Sequence, residues 1–354
     1  MPDTLHLIVD PAALESPLSR AAIDRAAAIL RSGGTVAFPT ETVYGLGANA
    51  LDPEAVAKIF AAKQRPSWDP LIVHIADLSM LDQVASGISE NARRLMNVFW
   101  PGPLTLLLPR ARGIQDIVTA GRPLVGVRMP EHPVALALIR AAGVPLAAPS
   151  ANTFGRTSPT LASHVAEDLD GRIDAILDGG ETTHGLESTV VDACVDPCIL
   201  YRPGVITLEQ LRAVCTDAVA FKETPRTRAT APEALPSPGV GLRHYAPRAR
   251  LVLVGNSDEA QYTEFRAAAQ AANIQGTRLG LMLADSFQLA AAGIDATLYR
   301  WGHWGDPEEL AQRLFAGLRF LDKAGVEMIL CPLPAAEGVG IAIRDRLEKA
   351  ARTS

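Results

Sequence analysis

The sequence predicts an α/β protein with two domains. The chain has 354 residues, which is more than one hydrophobic core usually organises. Strand-like and helix-like segments interleave along both halves of the chain, and a proline-rich stretch separates the halves. With 48% hydrophobic and 20% charged residues, the composition is ordinary for a soluble globular protein.

We expect the first domain to cover residues 1–215. Residues 18–32 have apolar positions at helical spacing, and residues 35–39 follow as a short strand. Later strands and helices lack a regular β-α-β rhythm, which predicts a twisted, mixed sheet with flanking helices. The other predicted strands are 71–75, 104–109, 124–128, 145–148, 174–177, 189–192 and 198–201, and the other helices are 53–64, 89–99, 132–142 and 160–169.

Residues 216–249 are assigned to a linker, because residues 222–248 contain five prolines and few large apolar side chains. We hypothesise that this segment closes over a bound ligand as a lid, with Gly239 and Gly241 as hinges. Regular alternation of strand and helix returns over 250–354 and predicts a smaller, Rossmann-like open α/β domain. Its predicted strands are 251–255, 279–283, 296–301 and 327–332, and its helices are 257–272, 306–324 and 338–352.

Charge, cysteine content and hydropathy narrow the class of protein. The net charge of −6 argues against a protein that coats nucleic acid, although it is compatible with a local basic surface. Four cysteines in so long a chain indicate no disulfide framework, as is typical of a reducing cytosol. The first residues lack signal-peptide features, and no apolar run approaches the roughly 20 residues that span a bilayer. We therefore expect a cytoplasmic protein without a membrane anchor.

Small polar loops follow several of the predicted strands. Residues 39–47 (PTETVYGLG) place hydroxyls, a carboxylate and two glycines after a strand, as in a ligand site or in a capped polar turn. Residues 148–152 (APSAN) run from a strand end into a turn whose small side chains expose backbone amides. The chain contains neither a phosphate-binding GxxxxGK[ST] loop nor a dinucleotide-binding GxGxxG motif after a strand.

Several basic side chains indicate an anionic ligand. Lys63 and Arg65 stand at the end of a predicted helix, where two cations at an open loop suit a polyphosphate or form a solvated surface pair. Arg128 lies in a strand of valines and needs an anion, which a ligand or a protein carboxylate would supply. His74 lies in an apolar strand, where the alternative to ligand binding is a hydrogen-bonded core histidine.

Taken together and in order, these segments resemble the Sua5/YrdC family over most of residues 20–210. The segment 237–247 (SPGVGLRHYAP) is similar to the linker of the long Sua5 form, and residues 250–350 fit its C-terminal domain. The resemblance implies a YrdC-like domain followed by a smaller Sua5 domain. The matching segments are FPTETVYGLG (38–47), KIFAAKQRP (58–66), DPLIVHI (69–75), FWPGPLTLLL (99–108), VGVRMPEHP (125–133), APSAN (148–152), DGG (178–180), ESTVVD (187–192) and LYRPG (200–204).

The resemblance implies a threonylcarbamoyl-AMP synthase. In this reaction the amine of L-threonine captures CO2 or bicarbonate as a carbamate, which attacks the α-phosphate of ATP and expels pyrophosphate. Magnesium is expected with the triphosphate rather than on protein side chains. The product would feed the downstream transferase machinery of the tRNA modification t6A, and a weak contact with tRNA itself is left open.

The resemblance also implies roles for single residues. Lys63 and Arg65 are expected to be catalytic through the ATP phosphates, because this chemistry needs charge neutralisation more than a covalent nucleophile. Arg128 is expected to bind the threonine carboxylate, which would supply its counter-anion. The other expected threonine-binding residues are Thr42, Thr40, His74, Ser188 and the main chain at Ala148, and the other expected ATP-binding residues are Asp69, Leu124, Ser150, Asn152, Ser158, Arg202 and Tyr245.

Two alternative functions stay open on the sequence. A YrdC-like domain also occurs in the hydrogenase maturation factor HypF, a carbamoyl-transfer enzyme, but nothing here matches its acylphosphatase and zinc-finger modules. An RNA-binding module is the second alternative. Residues 1–215 hold 17 basic against 23 acidic side chains, which does not favour strong electrostatic RNA binding.

Overall fold

A computed structural model describes residues 3–221, 245–255, 258–285 and 293–352 of the chain. The chain divides into two compact units. The first unit holds the described residues up to 221 except for 155–158 and 184–186. Those two short segments belong to the second unit, together with the described residues from 245 onwards. Residues 222–244, which form most of the predicted linker and carry the lid hypothesis, lie outside the described residues.

The described part of the first unit is built on a mixed sheet of eleven strands. The strands are β1 (Leu5–Ile8), β2 (Val36–Phe38), β3 (Gly45–Asn49), β4 (Ile72–His74), β5 (Leu104–Pro109), β6 (Leu124–Arg128), β7 (Leu146–Ala147), β8 (Ala175–Asp178), β9 (Thr189–Asp192), β10 (Ile199–Arg202) and β11 (Val219–Ala220). Their order is β1-β8-β2-β3-β7-β4-β6-β5-β9-β10-β11. Because the β4–β6 pair is parallel while the β5–β6 and β3–β7 pairs are antiparallel, the predicted mixed sheet is confirmed.

Helices flank this sheet, and two of their termini show how the sequence places them. α1 starts at a proline behind Ser16, whose hydroxyl accepts a backbone N–H of the first turn, and it buries Ala26 and Leu30 in the core. α2 ends where Gln64 adopts a left-handed conformation (φ 54°), so that the chain turns away directly after Lys63. The helices are α1 (Pro17–Arg31), α2 (Pro53–Lys63), α3 (Leu81–Val84), α4 (Glu90–Phe99), α5 (Asp116–Thr119), α6 (Pro133–Ala142), α7 (Ala162–Leu169) and α8 (Leu208–Val214), with a 3-10 turn at Leu78–Met80.

The second unit contains a parallel sheet in the order β12-β15-β13-β14. Parallel neighbours need crossover connections, and the helices of this unit fit that requirement, so the predicted open α/β arrangement is confirmed. Trp301 and Phe315 are fully buried in its core. Among the described residues of either unit, no helix is long and apolar enough to cross a bilayer. The elements are β12 (Arg250–Val254), α9 (Asp258–Ile274), β13 (Leu279–Ala284), β14 (Thr297–Gly302), α10 (Pro307–Lys323), β15 (Met328–Pro332) and α11 (Val339–Ala351).

Gly204 lies where a neighbouring stretch of backbone leaves no room for a side chain. A Cβ atom at this position would lie 2.5 Å from the nitrogen of Thr189 and 2.7 Å from the carbonyl oxygen of Glu187. Because backbone atoms cannot move aside cheaply, Gly204→Ala should lower the free energy of unfolding by about 1–3 kcal/mol in a urea titration. Gly113→Ala is the matched control, since its Cβ would meet nothing closer than 3.5 Å. Equal unfolding midpoints for the two variants would contradict the prediction.

Candidate active site

The turn between β2 and β3 forms one side of a buried polar site, and Thr40 shapes this turn. The Thr40 hydroxyl lies 2.7 Å from the carbonyl oxygen of Val43 and 2.8 Å from the Thr42 hydroxyl. It also accepts the backbone N–H groups of Thr42 and Val43. These contacts use the hydrogen-bonding capacity of a single hydroxyl. The geometry therefore favours a structural role for Thr40, whereas Thr42 reaches a further partner.

Arg128, at the end of β6, joins three segments of the first unit. Its Nη1 donates to the Thr42 hydroxyl (2.8 Å), its Nε donates to the Gly102 carbonyl oxygen (3.3 Å), and its Nη2 lies 2.6 Å from Oε1 of Glu41. Both partners of this ion pair are buried. Burial raises the pKa of Glu41, but the charge and hydrogen bonding of Arg128 outweigh it and hold that pKa below its ordinary value. Glu41 is thus a protein counter-anion of Arg128, and the expected contact of Arg128 with the threonine carboxylate stays a prediction.

His74 lies on the strand next to Arg128, and the two residues are register partners between β4 and β6. Burial and, secondly, the charge of Arg128 lower the pKa of His74 to about 3, so its ring is neutral at physiological pH. Among the described residues, Nδ1 of His74 has no hydrogen-bond partner. A buried polar atom without a partner is costly, which favours ligand contact over a hydrogen-bonded core histidine.

Ser188 stands at a junction between residues expected on the threonine side and the ATP side. Its hydroxyl lies 2.8 Å from the Thr105 hydroxyl on β5 and accepts a hydrogen bond from Nη2 of Arg202 (3.1 Å). Nε of Arg202 also donates to the Ser188 carbonyl oxygen (3.0 Å). Sequence reasoning missed Thr105, as it missed Glu41. The available signal was a single buried hydroxyl in the apolar strand LTLLLP.

Lys63 and Arg65, at the end of α2 and just beyond it, are buried rather than exposed at an open loop. Nζ of Lys63 donates to the main-chain oxygens of Ser150 (2.6 Å) and Asn152. Arg65 Nη2 pairs with Oδ2 of Asp69 at 2.9 Å. Burial and, secondly, the charge of Arg65 lower the pKa of Lys63 well below its ordinary value. The expectation of cations facing an open loop and the alternative of a solvated pair are therefore both wrong.

The other residues expected in the first unit lie on adjoining segments. The Ser150 hydroxyl donates to Oδ1 of Asn152 at 2.5 Å, which stiffens the loop that holds Lys63. The amide of Ala148 donates to the carbonyl oxygen of Ile72 (2.8 Å), so its main chain can offer a ligand only the carbonyl oxygen. Leu124 begins β6 and is half-buried.

Ser158 and Tyr245 belong to the second unit. The ring of Tyr245 stacks on Phe315 with 5.7 Å between centroids, and the guanidinium carbon of Arg346 lies 5.3 Å from the Tyr245 centroid. Tyr245 is 1% exposed and has a left-handed backbone conformation (φ 66°). These contacts anchor Tyr245 in the core of the second unit. Its expected contact with the nucleotide stays a prediction.

The buried, neutral His74 makes the stability of the fold depend on pH. Its pKa is about 3 in the folded protein against an ordinary value of 6.5, so between these values the unfolded chain binds a proton that the folded chain does not. The stabilising contribution is complete above the ordinary pKa and falls by about 1.4 kcal/mol per pH unit below it.

Urea unfolding of wild type and His74→Gln, each at about pH 7.5 and about pH 5, measures this difference. Acidification should cost the wild type about 2 kcal/mol more than it costs the variant. Equal losses in the two proteins would show that His74 takes up its proton normally in the folded state.

Two family models match successive parts of the chain. The model Sua5_yciO_yrdC, described as telomere recombination, matches residues 28–204. The model described as the C-terminal domain of threonylcarbamoyl-AMP synthase matches residues 206–352. Together the two models match most of the chain, and the second begins at residue 206, before the linker that we predicted at 216–249.

Similar proteins extend along nearly the whole chain. A threonylcarbamoyl-AMP synthase of Pyrococcus abyssi is 42% identical over 326 residues, which is 92% of each chain. One of Bacillus subtilis is 46% identical over 332 residues, covering 93% of this chain and 92% of its own. The crystal structure of P. abyssi Sua5 complexed with L-threonine matches with a TM-score of 0.89 and 40% identity over 98% of both chains. The chain therefore belongs to the Sua5/YrdC family, in its two-domain Sua5 form.

Proposed function

We propose that this chain catalyses the formation of L-threonylcarbamoyl-AMP and pyrophosphate from L-threonine, ATP and bicarbonate or CO2. Relatives named threonylcarbamoyl-AMP synthase match more than nine-tenths of its length, and one similar structure holds L-threonine. The structural observation that carries the proposal is the buried guanidinium of Arg128, which Thr42 and Glu41 hold beside the neutral His74. The chain is thus a nucleotidyltransferase.

Arg128, His74 and Ser188 form the threonine side of the proposed site. A guanidinium has five N–H groups on three nitrogens. Each nitrogen of Arg128 makes one contact within the protein, so one N–H group is left on Nη1 and one on Nη2. The N–H groups left on the two terminal nitrogens suit a carboxylate, which accepts two parallel hydrogen bonds. Nδ1 of His74 and the hydroxyl of Ser188 are neutral groups that can hydrogen-bond to the hydroxyl or amine of threonine.

Lys63, Arg65 and Arg202 form the phosphate side. All three charges act on the carboxylate of Asp69, which places them in one region of the first unit. Low polarisability around buried groups strengthens their attraction for a triphosphate compared with cations in water. Lys63 has a third N–H left after its two main-chain contacts. Ser150 and Asn152 fix that ammonium, and the roles of Leu124, Ser158 and Tyr245 in ATP binding stay predictions.

Magnesium is proposed to arrive with ATP. Within the described ranges, no group of three or more His, Cys, Asp or Glu side chains could hold a metal ion by itself. Mg2+ commonly keeps several waters and binds substrate phosphates with only one or two carboxylates. A phosphate side dominated by the cations Lys63, Arg65 and Arg202 therefore fits a metal that the triphosphate carries, whose charge would neutralise the phosphate oxygens.

The chemistry needs alignment and charge neutralisation. A carbamate oxygen attacks the α-phosphorus, the bond to the pyrophosphate oxygen breaks, and negative charge develops on the phosphate oxygens. Lys63 and Arg65 stabilise this charge without reorganising, because their protein partners already fix them. The product would pass to the downstream machinery that transfers threonylcarbamoyl to tRNA, and the cytoplasm is the proposed location.

The decisive experiment measures pyrophosphate release and formation of the AMP derivative from ATP. Both should require threonine and bicarbonate together. Pyrophosphate release that ignores threonine would contradict the proposal. Salt-sensitive RNA binding without any turnover would favour the RNA-binding alternative instead.

Arg128→Lys keeps a positive charge opposite Glu41 but removes the paired N–H groups. We expect the KM for threonine to rise about 10- to 100-fold, because a hydrogen bond to a charged group is worth about 1.5–3 kcal/mol. The KM for ATP should change little. Steady-state kinetics with each substrate varied in turn measures the two constants, and Arg172→Lys at an exposed position is the control. A similar rise in both KM values would argue against a carboxylate contact.

Thr105→Val removes the hydroxyl that fixes Ser188 while changing the side-chain volume little. We expect the KM for threonine to rise about 3- to 10-fold, which corresponds to one neutral hydrogen bond. Thr105→Ser restores a hydroxyl at the same place and should return the KM close to that of the wild type. Kinetics of both variants, with thermal unfolding as a check on folding, measures the effect. Equal KM values for threonine in the two variants would show that the Thr105 hydroxyl does not contribute to threonine binding.

A further inference from the structure

The carboxylate of Glu41 has no task in the proposed reaction. It is the single charged side chain of the segment 39–47, and it is 4% exposed. Its Oε1 lies 2.6 Å from Nη2 of Arg128, and the pair is ionised because the guanidinium keeps the carboxyl deprotonated. Arg128, the group proposed to bind the threonine carboxylate, thus already has the negative charge of Glu41 beside it.

Two histidines next to this ion pair add no charge at neutral pH. Burial and, secondly, the charge of Arg128 lower the pKa of His74 to about 3, and burial lowers the pKa of His132 as well. Nδ1 of His132 accepts the backbone N–H of Val134 at the start of α6, which is a structural task. Glu41, Arg128 and the two rings therefore sum to zero charge.

This neutral cluster of Glu41, Arg128, His74 and His132 responds differently to two kinds of ligand. A simple carboxylate would bring a net charge of −1 into the site, next to Glu41, and an uncompensated buried charge is costly. An α-amino acid in its zwitterionic form brings no net charge. Its carboxylate is attracted to Arg128 while its ammonium is attracted to Glu41, so both protein charges gain a complementary partner.

Resting on the proposed function, we propose that Glu41 is a specificity-determining residue that makes the Arg128 site select zwitterionic amino acids and reject carboxylates without an amino group. The rival explanation is that Glu41 only holds Arg128 in place. The two explanations predict opposite changes in affinity for carboxylates that lack an amino group. A positioning role predicts that loss of the Glu41 charge weakens every carboxylate, whereas a selective role predicts that it tightens those without an amine.

The experiment is calorimetric titration of the full chain with L-threonine and with 3-hydroxybutanoate, which is threonine without its amino group. Wild type and Glu41→Gln are compared, since glutamine has almost the same shape without the charge. We expect Glu41→Gln to bind threonine about tenfold more weakly and 3-hydroxybutanoate about tenfold more tightly, because one charge interaction changes in each case. Equal weakening of both ligands, or no change in either, would overturn the proposal.

Two controls keep the outcome decisive. Thermal unfolding in the absence of ligand checks that Glu41→Gln folds. If it does not, Glu41→Asp provides the comparison, because it keeps the charge and should keep the wild-type preference for threonine. Loss of that preference in a folded Glu41→Asp variant would count against the proposal. Failure of the proposed function has a separate signature, since the wild type would then bind no threonine at all.

Discussion

The geometry of the candidate site depends on the buried guanidinium of Arg128. It ties the end of β6 to the β2–β3 turn through Thr42 and Glu41, and to the segment before β5 through Gly102. A buried guanidinium is unfavourable unless its charge and its N–H groups find partners, so each partner must keep its place. The contacts that Arg128 needs in order to be buried therefore hold the β2–β3 turn and the segment before β5 in place, which hydrophobic packing alone would define less well.

Lys63 and Arg65 are also buried cations with fixed partners, but the partners differ in kind. Lys63 donates to main-chain oxygens of Ser150 and Asn152, which are acceptors without a charge of their own. The carboxylate of Asp69 compensates part of the charge of Arg65. Because burial depresses the pKa of Lys63, an anion that arrives beside it would stabilise its charged form, and the same attraction would hold the anion. The ammonium is therefore poised to respond to a triphosphate.

Local sequence patterns predicted most of the elements. The helix predicted at 53–64 is Pro53–Lys63, and the strand predicted at 124–128 is Leu124–Arg128, because spacing and β-branched residues act over a few positions. β3 was missed, since its sequence GLGAN has little intrinsic strand propensity and pairing with β2 and β7 forms it. The same limit applies to β11, which lies at the start of the segment that we assigned to a linker.

For the candidate site, the sequence indicated which residues to consider but not which contacts they make. The motifs located Arg128 and Lys63, but neither spacing nor composition carries the distance from Arg128 to Glu41 or from Lys63 to the main chain of Ser150. Those contacts depend on sheet order, because they join residues 87 positions apart in sequence. Local signs of the two missed residues were present: Thr105 is a hydroxyl within an otherwise apolar strand, and Glu41 is the carboxylate of the turn 39–47.

The contact between Ser188 and Arg202 bears on how the two substrates interact. The Ser188 hydroxyl accepts a hydrogen bond from Nη2 of Arg202. A ligand that accepts a hydrogen bond from this hydroxyl would strengthen its oxygen as an acceptor for Arg202, and an anion that draws Arg202 away would weaken the Arg202–Ser188 hydrogen bond. Thr105 limits the ways in which the Ser188 hydroxyl can turn in response. If the two substrates bind as proposed, this coupling would be reciprocal, so occupation of either side would change the affinity of the other by the same factor. The hydrogen bonds among Thr105, Ser188 and Arg202 join the proposed threonine and phosphate sides in one network.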